Sequence, residues 1–340
     1  MVASNCAMLA RTKEQTTTAV RVGFVMRFME ATRSRLGFQH GSVQRPMQDS
    51  EMHYDDSMGS SSQIPQPEIL PPGSDYAAPP QPARRRPRWA SSPATYVLVG
   101  VNCLVYLAMV AKGVSPGSPT TDQIMHWGAN NAGSVLVNGE WMRIVTAMFV
   151  HVGFLHLGLN MWCLWNLGLL AEPLMGSAGV FAVYILTGAA GNLLSTLVGW
   201  WWYYSDWMKY HDVLVFPAGA GASGAVFGIA GALIVLLKSP RLPVPPVELR
   251  KLRKSVIYFA AINLVIGFSI SFGTRVIGTG ISIDNMAHLG GFSCGLLFAM
   301  PMVPRLGSPR PVFQARLGAA VAMIVGILVL FGFYLAKLAA

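Results

Sequence analysis

Residues 151–162 read HVGFLHLGLNMW. Two histidines and an asparagine sit in a run that is otherwise apolar, inside a hydrophobic block at 144–170. A block of roughly 20 apolar residues is long enough to cross a bilayer. Polar side chains within such a block are costly and mark function. Similar blocks lie at 94–112, 178–199, 221–237, 256–272, 285–303 and 317–337, giving seven candidate spans. The fourth and fifth are short or glycine-rich, so six spans is the alternative count.

Composition agrees. Of 340 residues, 53% are hydrophobic and 12% charged, with a mean hydropathy of +0.45. An ordinary soluble domain carries about 25% charge, which excludes a soluble enzyme of this length. The expected fold class is all-α, a polytopic bundle of membrane helices. The net charge of +10 would suggest nucleic acid in a soluble protein. Here the positive charge sits between hydrophobic blocks, where it sets topology. Membrane lipids are expected neighbours and nucleic acid is not. Cys103, Cys163 and Cys294 lie inside blocks and no CxxC spacing occurs, so disulfides and zinc are not expected. No internal repeat of the kind that marks many transporters is found.

Residues 1–90 differ, and are expected to form a disordered, basic and proline-rich cytoplasmic tail. Within them Arg21–Phe38 could form a basic amphipathic helix, as a membrane-surface helix or targeting peptide. The blander readings are a disordered tail, or sequence upstream of the true start, since Met47, Met52 and Met58 follow.

Basic residues fix orientation. ARRRPR (Ala83–Arg88) precedes the first span. Lys238, Arg241, Arg250, Lys251, Arg253 and Lys254 lie between the fourth and fifth, and Arg305, Arg310 and Arg316 between the sixth and seventh. With seven spans all three groups fall on one side, the cytoplasmic one. The loops at 113–143, 200–220 and 273–284 fall outside, with Trp200–Tyr204 as an interfacial aromatic belt. Spans two, four and six then run inward from the outer face, and their N-terminal ends lie together.

Polar residues gather at those ends. Span two offers His151, His156 and Asn160; span four opens GAGASG, with Ser223; span six opens DNMAHLGG, with His288. Gly224, Gly228 and Gly231 share a face, as do His288, Gly291 and Gly295. Small residues let membrane helices approach closely, which a hydrogen bond from a short serine to a histidine requires. Taken singly, the glycines are packing glue and Ser223 a helix-start residue; the convergence with His288 favours chemistry. His156 and Asn160, at i and i+4, face one way and could donate to an oxyanion, or link helices as a buried polar pair. His151 is five residues before His156 and would point elsewhere, in a structural role. Glu172, the only acid near the inner end of span two, reads as a cytoplasmic-interface charge. Asp284, four residues before His288, either completes a triad or caps span six; hydration so near the surface favours the cap.

HVGFLHLGLN resembles the HxxxxHxxxN signature of the rhomboid proteases, GASG their GxSG nucleophile motif and AHLGG their histidine motif. The likeness covers roughly 94–303. GEWMRIVTAMF (Gly139–Phe149) resembles their first-loop motif, E-x-W-R, with Glu140 and Arg143 matching and Trp141 one residue early. The resemblance implies a six-span protease core over 91–305 and an additional C-terminal transmembrane helix over 306–340. It implies a serine endopeptidase with Ser223 as nucleophile, His288 as base and no acidic third member. His156, Asn160 and the Ser223 backbone N–H would bind the oxyanion, with Phe227 against the histidine ring. Substrates would be single-span membrane proteins cut near the outer face. No cofactor or metal is implied, and no HExxH arrangement occurs. The rivals are a rhomboid-like pseudoprotease that binds membrane helices without cutting, and a small-molecule transporter. Retention of both Ser223 and His288 weighs against the first, and the scarcity of intramembrane acids against the second. The expected setting is a bacterial plasma membrane with the N-terminus cytoplasmic.

Overall fold

The computed structural model describes residues 92–204, 218–239, 245–277, 284–305 and 309–339. The tail of 1–90, Arg21–Phe38 included, lies outside them. The described residues form nine α-helices and one 3-10 turn. These are α1 (Pro93–Ala111), α2 (Thr121–His126), α3 (Ala132–Leu136), α4 (Arg143–Thr146), α5 (Phe154–Tyr204), α6 (Ser223–Leu236), α7 (Pro246–Ile277), α8 (Asn285–Ala299), the turn Met300–Arg305 and α9 (Arg310–Ala339). Helix occupies all seven expected spans, two of them within α5. Among the described residues four helical stretches are long and apolar enough to cross a membrane: Pro93–Ala111, Phe154–Trp201, Asn285–Val303 and Arg310–Ala339. The chain is a multi-pass membrane protein folded as a helical bundle.

Helix α5 reverses direction at Gly176, whose φ of +72° favours glycine. Its first arm, 154–175, runs antiparallel to α1: the Phe154 N–H donates to Pro116 O at 2.8 Å, while Gly168 packs on Thr95. Its second arm, 177–204, returns alongside α1, with Asn102 Nδ2 donating to the Tyr184 hydroxyl at 2.9 Å. The carboxylate of Glu172 stands at the reversal, only 3% exposed. It accepts from the N–H groups of Ala94 (2.8 Å) and Thr95 (2.9 Å), and from the hydroxyls of Thr95 (2.7 Å) and Ser177 (2.6 Å). An interfacial charge was expected there. Glu172 is instead a buried cap, satisfying the free N-terminal donors of α1 from a neighbouring helix, where the helix dipole favours a negative group.

Span two also begins later than its hydrophobicity suggests, at Phe154 rather than 144. Gly153 breaks the helix at φ +98°, and a Cβ there would lie 2.6 Å from Gly117 O. The apolar residues before it, Ile144, Ala147, Met148 and Val150, are buried within the loop fold rather than in a span. The same loop is braced by Arg143, which pairs with Glu140 and donates to Met125 O (2.7 Å) and Ala129 O (2.9 Å). Displaced by one residue from the family pattern, Trp141 lies beside Gly332 of α9. Leu335 of α9 packs with Val135, Ile144, Ala189 and Leu193, which fixes the last helix to the loop and the second arm of α5. In the aromatic run, Trp200 is buried and Trp201 exposed; the side chains of 202–204 lie outside the described residues.

The centre of the bundle is glycine against backbone. A Cβ on Gly291 would overlap the carbonyl oxygen of Gly224, and one on Gly295 that of Gly228. Gly231 meets Phe292 O in the same way. The order of these contacts makes α6 and α8 parallel. The second arm of α5 runs antiparallel to both, with Gly191 against Ala287 O and Thr187 against Gly228.

Candidate active site

The N-terminal ends of the first arm of α5, of α6 and of α8 meet, as the span parity requires. Ser223 is the first residue of α6, partly exposed. The segment before it is tied down donor by donor. Gly219 exchanges both backbone hydrogen bonds with Asn130, at 2.7 and 2.8 Å, and the Gly221 N–H donates to Ala147 O at 2.9 Å. Gly221 has φ +127°, and a Cβ there would lie 2.6 Å from His156 Cε1. Only glycine satisfies both constraints, which explains the first residue of the GASG motif.

His156 lies in the first turn of α5. Its Nδ1 accepts from the Val152 N–H at 3.3 Å, so in the neutral ring the proton belongs on Nε2. The Nε2 edge is the one beside Gly221. Asn160, one turn on and 6% exposed, spends one amide hydrogen on His156 O at 3.0 Å and keeps a second.

His288, in the first turn of α8, is 7% exposed, and its ring stacks on Phe227 at 4.4 Å and 12°. Phe227 lies one turn after Ser223 and also meets Phe259 of α7 at 6.2 Å. Ser223 and His288 thus stand at the same end of two helices in backbone contact, Gly224 being 3.2 Å (as a Cβ) from Ala287 O. Among the described residues no hydrogen bond joins their side chains, and His288 Nδ1 is buried without a partner. Such bonds commonly tighten only when substrate binds.

Two residues sit differently from a simple helical reading. His151 is not on a span but in the loop before α5, fully buried, and its ring lies 5.3 Å from that of His156 rather than pointing away. Asp284 is the cap of α8: Oδ1 accepts from the Ala287 N–H at 2.9 Å and Oδ2 from the Ser195 hydroxyl at 2.6 Å. Asp284→Asn is therefore expected to keep cleavage within a few-fold of wild type, since Asn caps about as well as Asp. A loss near 10⁴-fold in turnover, the size seen when a triad aspartate is replaced by Asn, would make Asp284 a third catalytic member.

Sequence reasoning overlooked the supports. Asn130 Nδ2 donates to Asn192 O (3.1 Å), Asn192 Nδ2 to Ile144 O (2.9 Å) and Thr196 Oγ1 to Asn192 O (2.8 Å). Asn192, Ser195 and Thr196 lie on the second arm of α5, in the third span. The rule that polar residues inside spans mark function would have found them. They connect the first loop, the segment before Ser223 and the helix that carries His288 to one arm. Among the described residues no three His, Cys, Asp or Glu side chains converge as metal ligands.

A family model described as "Rhomboid domain" matches residues 138–305. The chain is 30% identical over 231 residues to "Rhomboid protease GluP" of Bacillus subtilis, covering 68% of this chain and 38% of that protein. It is 29% identical over 214 residues to "Rhomboid protease AarA" of Providencia stuartii, covering 62% and 72%. Against "Rhomboid protein 1, mitochondrial" of Saccharomyces cerevisiae the identity is 30% over 184 residues, covering 53% and 46%.

Proposed function

The chain belongs to the rhomboid family, and on that premise we propose that it is a serine endopeptidase that cuts the transmembrane segments of protein substrates. The observation that carries this is the placing of His288 on the ring of Phe227, one turn after Ser223 on α6. In this mechanism Ser223 Oγ attacks the scissile carbonyl carbon while its proton passes to His288. The oxyanion is met by His156 Nε2–H, the free amide hydrogen of Asn160 and the Ser223 N–H at the start of α6. Collapse breaks the C–N bond, and His288 gives its proton to the leaving amine. Water, deprotonated by His288, then splits the acyl ester and returns the proton to Ser223.

The membrane arrangement belongs to the same reading. Residues 91–305 form the six-span core, 306–340 add one span, and the tail of 1–90 is cytoplasmic, in a bacterial plasma membrane. Helix α6 has 14 residues and is about 21 Å long, against a hydrocarbon core of roughly 30 Å. With Lys238, two residues past its end, at the inner surface, Ser223 lies beneath the outer one, where water must reach it for hydrolysis.

Two experiments test this. The purified chain in liposomes should cleave a labelled single-span substrate and take up a serine-directed fluorophosphonate. A folded protein that does neither would be a non-cleaving binder of membrane helices. Separately, both Asn138 and Val247 are exposed. A cysteine at Asn138 should react with an impermeant reagent from outside intact cells, and one at Val247 only after permeabilisation. The reverse pattern would place the site on the cytoplasmic side.

A further inference from the structure

Three of the backbone donors leading to Ser223 have clear partners. Gly219 N–H goes to Asn130 O and Gly221 N–H to Ala147 O, both backbone partners. The Ala222 N–H goes to a side chain, His151 Nε2, at 3.5 Å. The next donor, the Ser223 N–H, is the first free one of α6, since the opening turn of a helix has no internal acceptors. The tautomer of His151 follows from its other contact. Its Nδ1 faces Phe149 O at 3.2 Å. A carbonyl can only accept, so Nδ1 carries the proton and Nε2 presents the lone pair that Ala222 needs. His156, whose ring is 5.3 Å away, has the opposite tautomer, with Nδ1 accepting from Val152 and the proton on Nε2. Gly221 lies in between at φ +127°, with no side chain to interfere.

We infer that His151 is a positioning residue of the oxyanion site: by holding the Ala222 N–H, it aims the following Ser223 N–H at the developing oxyanion. It touches no substrate and acts through the 221–222 peptide, whose N–H it holds and which adjoins the 222–223 peptide that carries the Ser223 N–H. It is the one side chain among the three tethers of this segment, and it is fully buried. Without it the Ala222 N–H would lose its partner, and the 221–222 peptide would be free to turn, carrying the next peptide and its Ser223 N–H off the oxyanion. Because the oxyanion exists only after attack, the loss falls on kcat and not on KM.

This inference rests on the proteolytic reading, and side chains that copy one nitrogen at a time test it. Gln places an oxygen acceptor near the position of Nε2; Asn places an N–H near that of Nδ1 but does not reach Ala222; Leu copies neither. His151→Gln should retain kcat within about 5-fold. His151→Asn and His151→Leu should each lose on the order of 10–10²-fold in kcat at unchanged KM, somewhat less than removal of a donor outright. Fluorophosphonate labelling should slow in the same proportion. All rates are taken per folded molecule, from thermal melts of the detergent-purified chain. Unchanged kcat per folded molecule in Asn and Leu, or a loss in Gln equal to that in Leu, overturns the inference. Ser223→Ala is run in parallel. Turnover by that variant would remove the serine mechanism on which the inference rests, whatever the His151 series shows.

Discussion

Ser223→Ala is expected to abolish cleavage, a loss of roughly 10⁶-fold in turnover if the residue is the nucleophile. The fold should not notice. Ser223 is partly exposed at the first position of α6 and makes no side-chain hydrogen bond among the described residues. Its melting temperature should match wild type, and fluorophosphonate labelling should vanish. His288→Ala should remove cleavage to a similar extent, but with a different physical signature. It deletes a ring stacked on Phe227, an aromatic contact worth about 0.5–1.5 kcal/mol beyond its buried area. That variant should therefore melt lower and still hold a serine that labels only slowly. Full cleavage by folded Ser223→Ala protein, measured on a labelled single-span substrate, would end the serine mechanism.

The second large effect is expected from the oxyanion donors. Asn160→Ala should slow turnover by about 10²–10³-fold, the usual loss for one such donor, softened by redundancy with His156, and should still label. His156→Ala combined with Asn160→Ala should fall well below either single variant, leaving the Ser223 N–H alone. The two residues are one helical turn apart, joined by the bond from Asn160 Nδ2 to His156 O. Their effects should therefore depart from additivity. A double variant with wild-type turnover would strip both residues of the role.

Much of the site was legible because membranes make polarity expensive. His156, Asn160, Ser223 and His288 stand out against apolar surroundings, and the glycine spacings of 224/228/231 and 291/295 mark the faces that now touch. The alternation of spans put the three helix starts at one end, where the structure has them. The failures share a cause, since burial in this chain happens in loops as well as in spans. Ile144, Ala147, Met148 and Val150 are apolar because they line the loop core, so hydropathy alone extended the second span over them. The same extension placed His151 on a helix it does not belong to, and helical spacing then gave it the wrong direction. Glu172 was misread because a carboxylate can be buried without a cation when backbone N–H groups and hydroxyls supply four hydrogen bonds. Nothing in a one-dimensional pattern shows that the start of α1 lies within its reach.

The seam of glycine between α6 and α8 has a consequence for stiffness. Lipid gives apolar helices no incentive to leave it for each other, so their association relies on close van der Waals packing. Most side chains that pack closely must surrender rotamers to do so, at up to about 2 kcal/mol each. Gly224, Gly228, Gly231, Gly291 and Gly295 have none to surrender. The joint therefore forms at little entropic cost, and once formed it has no side chain that can swing aside and let the helices drift. The spacing between Ser223 and His288 is set by main chain pressed on main chain, which behaves as a fixed gauge rather than a spring.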